Sequence, residues 1–136
     1  MIVVVSHVGF YAELEPGKPG LYHGSIRDAI ADEPYPDESE LISYLERGIP
    51  LIDIMEAGQD VISRDGYIAG CSSVLSDGVW IWRLDLPYYL SRYHLRLDPE
   101  FVELVRGKKY GAPVLSQGEV ISLAREVVFN FLGMRS

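Results

Sequence analysis

The chain contains one cysteine, so no disulfide can form within it, a condition that suits a reducing compartment. Histidine is nearly as scarce: His7, His23 and His94 join Cys71 as the possible soft metal ligands, and no two stand at metal-site spacing. Each reads better as structure, with His94 closing a helix, Cys71 packing as a small hydrophobe and His7 facing outward from a strand. The N-terminus carries no basic region, and its apolar run Ile2 to Val5 is too short for a signal peptide or a membrane span. A cytoplasmic protein is the expectation. There is no G-x-S-x-G elbow and no papain-type or kinase signature, so nucleophilic catalysis has no marker. Gly17 to Gly24 lacks the strand-loop-helix context of a phosphate loop. Repeats, low-complexity tracts and dividing linkers are absent too. These absences leave no catalytic residue, cofactor or metal to name, and the expectation is a protein that is not an enzyme.

What is present is a core. At 136 residues, 48% of them apolar, the chain can bury roughly two thirds of its unfolded surface as a single domain spanning 1–136. Tyr67 to His94 holds both tryptophans and four of the nine tyrosines. Asp77-Gly78 in its middle is a strong signal for a two-residue hairpin turn, because both positions tolerate positive φ. That turn would set Ser76 opposite Val79, Leu75 opposite Trp80, Val74 opposite Ile81 and Ser73 opposite Trp82. Alternation then puts Ala69, Cys71, Ser73, Leu75, Trp80 and Trp82 on one face, and Ile68, Gly70, Ser72, Val74, Val79 and Ile81 on the other. Neither face is polar, so the hairpin should be central and covered on both sides.

Around it the spacing predicts a strand in Ile2 to Tyr11 and a loop from Glu15 to Gly24. Ser25 with Asp28 caps a short helix to Ala31, and Asp32 to Pro36 is an acidic loop that its prolines keep from being helical. Asp37 with Glu40 caps a helix ending at Gly48. Pro50 to Met55 is a strand or a short helix, periodicity not separating the two, and Gly58 to Gly66 is a polar connection. Asp85 caps a helix with Pro87 in its first turn and Leu86, Tyr89, Leu90 and Tyr93 on one face. Asp98-Pro99-Glu100 starts another, and Ser116 with Glu119 forms a capping box before the apolar face Val120, Ile121, Ala124, Val127, Val128, Phe131 and Leu132. The fold class is α+β: one domain, a mainly antiparallel sheet around the 67–82 hairpin, and about four packed helices.

The net charge of -8 is unevenly distributed. Up to Asp65 there are 13 acids against 4 bases, and from Gly66 onward 7 against 8. Such a field repels nucleic acid and anionic lipid and attracts cationic surfaces. The acids Asp28, Asp32, Glu33, Asp37, Glu38, Glu40 and Glu46 gather around Tyr35, which stands between two prolines. A helix cap needs one or two carboxylates, and a rigid aromatic inside a charged rim is how contact surfaces are built. Solubility and partner binding both account for these charges. Asp53, Glu56 and Asp60 would share a helical face, yet a hard cation needs six or more oxygens from a shaped loop, and the solvated reading is simpler. Arg106, Lys108 and Lys109 form a basic cluster that suits a helix C-terminus better than nucleic acid.

The run Asp77-Gly78-x-Trp80-x-Trp82 followed by Asp85-Leu86-x-Tyr88-Tyr89-x-x-x-Tyr93-His94 resembles a motif of short bacterial proteins. In size and acidity the chain resembles the immunity proteins of bacterial polymorphic toxins, cytosolic inhibitors that block a toxin domain by binding it. That resemblance implies a non-enzymatic, acidic inhibitor with a basic protein partner, and no catalytic residue carries over. Charge alone marks Asp28, Asp32, Glu33, Asp37, Glu38 and Glu40 as rim contacts and Tyr35 as an anchor. Two alternatives remain: a small-molecule-binding or minor enzymatic domain with a pocket over Gly70 to Ser73 beside Tyr88 or Tyr89, and a homodimer using the second apolar face of the hairpin.

Overall fold

A computed structural model describes residues 5–16, 22 and 24–131, the side chains of Asn130 and Phe131 excepted. Ile2 to Val4, Gly17 to Gly20, His23, Leu132 and the Phe131 side chain, all read above, lie outside that range. The turn at Asp77 sets the main sheet, with three residues, Asp77 to Val79, between its strands rather than two. Asp77 Oδ1 accepts from the Val79 and Trp80 amides at 2.9 and 2.7 Å, while Ser76 Oγ accepts from Gly78 N and donates to the Trp80 carbonyl. Side-chain oxygens thus reinforce the backbone bond from Asp77 N to Trp80 O at 3.3 Å. Strand β5 (Val74–Ser76) pairs with β6 (Trp80–Arg83) as Ser76 to Ile81, Leu75 to Trp82 and Val74 to Arg83. The register is displaced by two from the expected one, and a shift of two leaves every side chain on its face.

The long strand expected upstream is broken. Gly70 has φ +67, a left-handed conformation that turns the chain. Tyr67–Ala69 (β4) therefore leaves the hairpin and pairs antiparallel with Ala57–Gln59 (β3) in a separate ribbon. The polar connection expected from Gly58 to Gly66 is partly this strand. Of Pro50 to Met55, the first three residues resolve as strand, in β2 at Ile49–Ile52 antiparallel to β5, and the rest is irregular. Strand β1 is short, Ser6–His7, and parallel to β6, so the four-stranded order is β1-β6-β5-β2 and the sheet is mixed.

Five helices complete the α+β fold among the described residues: α1 Ile26–Ala29, α2 Glu38–Glu46, α3 Leu86–Tyr93, α4 Pro99–Gly107 and α5 Gln117–Glu126, the last continued by a π-turn at Val127–Phe131. The Asp98 cap on Glu100 N and the reciprocal Ser116–Glu119 box form as expected. Asp37 and Asp85 sit at N-cap positions without making a capping bond, because Arg106 and Arg83 take their carboxylates. His94 closes α3 at φ 56.

The tryptophan face of the hairpin carries the larger core. Trp80 and Trp82 meet Phe101 edge-on at 5.4 and 5.6 Å, with Tyr44 beside them, under α2, α3 and α4. Burying a side chain such as Phe101 contributes roughly 2–3 kcal/mol. Gly48 permits this approach: a Cβ there would lie 2.5 Å from Trp82, whose indole N–H caps the Leu45 carbonyl at the end of α2. On the other face Val74 and Ile81 are covered by Val5, Phe10, Tyr22, Leu123 and Val127. That cover comes from the chain's own segments, so this face does not offer the free dimer surface considered above.

Candidate functional site

The acidic strip from Asp28 to Glu40 folds along the segment after α3. Ile30 bridges Leu95, the Ala31 amide donates to His94 O, and the Arg96 amide donates to Ala29 O at 2.7 Å. Side chains lock the strip further. Arg106 binds both Asp37 oxygens at 2.9 Å, and the Tyr110 hydroxyl donates to the same carboxylate. The Arg106 guanidinium and that hydroxyl hold the Asp37 carboxyl down at about 2. Glu38 meets His94 Nδ1 at 2.8 Å. Tyr35 is half-buried, with Arg96 over its ring at 4.5 Å and Arg106 at 5.4 Å, and its hydroxyl accepts from the Leu97 amide. Arg96 also donates to the Glu33 carbonyl at 2.7 Å.

The seven expected contact residues therefore divide in two. Tyr35, Asp37 and Glu38 hold the strip to the body of the protein. Asp28, Asp32, Glu33 and Glu40 are exposed, and among the described residues their side chains form no ion pair. Beside Tyr35 lies an open groove of about 720 Å³, lined by Tyr35, Pro99, Val102, Glu103, Arg106 and Gly107. Glu103 is exposed there and forms no ion pair among the described residues, and the sequence reading missed it because α4 lies far along the chain. The helical pattern of α4 could have exposed it: Phe101, Val102 and Val105 face inward, leaving Glu103 outward.

Asp60 is the opposite case. It lies fully buried at the end of β3, not on a solvated face shared with Asp53 and Glu56. Oδ1 accepts from the Ile62 and Ser63 amides at 2.8 and 2.9 Å, and Oδ2 from the Tyr88 and Tyr93 hydroxyls at 2.7 Å each. Burial alone would raise this carboxyl, but the four donors outweigh it and hold it at about 2. Tyr89 Oη accepts from Val61 N, so three tyrosines of α3 clasp one loop.

Two other buried carboxylates serve structure. Tyr44 donates to Asp77 Oδ2 at 2.6 Å, and Lys108 reaches Tyr44 at 3.2 Å. Arg83 forks onto Asp85 at 3.2 and 3.0 Å, and burial pushes the Asp85 carboxyl up to about 6 against that pull. Over Gly70 to Ser73, where a pocket is expected, the side chains are turned inward and used by the fold. Cys71, Ser72 and Ser73 are buried, Ser72 donates to Glu56, Ser73 Oγ accepts from Ile54 N, and Tyr88 and Tyr89 face the loop just described.

No group of His, Cys, Asp and Glu side chains that could hold a metal ion occurs among the described residues, and no helix there is long and apolar enough to cross a membrane. Comparison with protein-family models, with curated proteins and with solved structures found no match.

Proposed function

We propose that this chain is a non-enzymatic binding protein whose acidic strip docks onto a basic protein, as an immunity protein docks onto its toxin. One observation carries the reading: Asp28, Asp32, Glu33 and Glu40 stand exposed, with no ion pair among the described residues, on a strip whose remaining acids and tyrosine fasten it down. Fixed carboxylates lose little freedom on binding, and their shared sign speeds the encounter with a cationic surface. The groove beside Tyr35 suits the aliphatic stem of a partner lysine or arginine, with Glu103 meeting its charge. A cationic enzyme such as a nuclease or a nucleotide-using toxin, occluded at its active-site surface in the bacterial cytoplasm, is the partner class that fits. Nucleic acid and anionic membranes would be repelled by the same field.

The test is affinity capture from the native cell with the full chain and with the D28N/D32N/E33Q/E40Q variant, at low and high salt. The proposal expects a basic protein, a toxin domain or the product of the neighbouring reading frame, retained by the wild type and released by the variant or by salt. Equal retention by both chains would refute it.

A further inference from the structure

A cavity of about 360 Å³ lies between α1, the short 3-10 turn Ala12–Leu14 and the loop after β3, lined by Glu13, Pro16, Arg27, Gln59, Asp60, Val61 and Arg64. Its two carboxylates are already satisfied. Glu13 accepts from Ser25 Oγ and from the Ile26 amide at 2.9 Å, and Asp60 has its four donors. Of its two guanidiniums, Arg27 acts on Glu13 through its charge, and among the described residues neither Arg27 nor Arg64 has a side-chain hydrogen bond or an ion pair in direct contact, although acids outnumber bases 13 to 4 in this half of the chain. Both guanidiniums therefore keep hydrogen-bond donors to offer to a ligand.

Arg64 is also held in place at a conformational cost. Its φ is 60, which a side chain other than glycine seldom adopts, and it stays there because its amide donates to Asp60 O at 2.9 Å while its carbonyl accepts from Gln59 Nε2 at 2.7 Å. The Asp60 clasp beneath stiffens the same loop. We propose that this cavity binds a small anion, a carboxylate or phosphate compound of metabolite size, gripped by the Arg27 and Arg64 guanidiniums with Pro16 and Val61 as its apolar wall. A guanidinium matches the planar oxygens of such groups, and the volume falls within the range of small-molecule sites. Arg27 adjoins Asp28 of the strip on α1 whereas Arg64 lies outside the strip, so the Arg64→Gly variant tests ligand binding without altering the partner surface.

The experiment is an NMR titration of the full-length chain with inorganic phosphate and, separately, malonate, against sodium chloride at matched ionic strength. Saturable shifts are expected at the amides of residues 25–27 and 59–64 with phosphate, malonate or both. Arg64→Gly should weaken binding by about tenfold or more while keeping the fold, since glycine accepts that φ, and Arg27→Gln should do the same. Shifts that rise without saturation and match those from chloride would overturn the site, as would unchanged affinity in both variants.

Discussion

The loop at Asp60 and the strip from Asp28 to Glu40 are both rich in acids, tyrosine and arginine, and they use them in opposite ways. At Asp60 one carboxylate collects four donors, lies fully buried and is kept ionised for the sake of the fold. Along the strip, Asp37 and Glu38 are tied inward while Asp28, Asp32, Glu33 and Glu40 remain outward, with no cation paired to them among the described residues. Negative charge counted from sequence is thus a poor measure of negative charge offered to a partner. The count must be reduced by each acid that folding uses.

Replacing Asp60 should have the largest effect on this contrast. Asp60→Ala leaves two tyrosine hydroxyls and two amides without an acceptor, and chemical denaturation should record a loss of about 3 kcal/mol or more. A loss under about 1 kcal/mol would erase the distinction between the two regions. Next comes the tie that holds the strip. Asp37 and Arg106 are partly exposed, so a double-mutant cycle on D37N and R106Q should return a coupling of about 1 kcal/mol.

Acid should separate the same groups. Asp37 and Asp60 both lie near 2 instead of the ordinary 3.8, so each favours folding fully above about pH 4 and loses that contribution as pH falls through 2. Carboxyl-carbon NMR shifts followed against pH would check it; midpoints near 4 for either residue would contradict the hydrogen-bond account. The smallest effect belongs to the free acids. Asp32→Asn or Glu33→Gln should change stability by no more than about 0.5 kcal/mol, as read by thermal melting.

The sequence carried the two-sided hairpin, the caps at Asp98 and Ser116 and the helix stop at His94, because these depend on neighbours within a few residues. It misplaced what depends on distant ones. The hairpin register moved by two because Asp77 and Ser76 turned their side chains into the loop, and Gly70 diverted β4 to another sheet. Asp37 reads locally as a helix cap, and nothing nearby announces that Arg106 will claim it. Tyr35 looked like a projecting anchor for the same reason: Arg96 and Arg106 are remote in sequence and adjacent in space. Periodicity likewise could not reveal that Asp60 meets tyrosines from α3.

The proposed role of the strip meets its most direct test in stopped-flow association with the captured partner over a range of salt. The wild type should associate at least about tenfold faster at low than at physiological salt, and the D28N/D32N/E33Q/E40Q variant should be slow and nearly salt-independent with its fold unchanged. Equal rates for the two proteins, flat against salt, would contradict it.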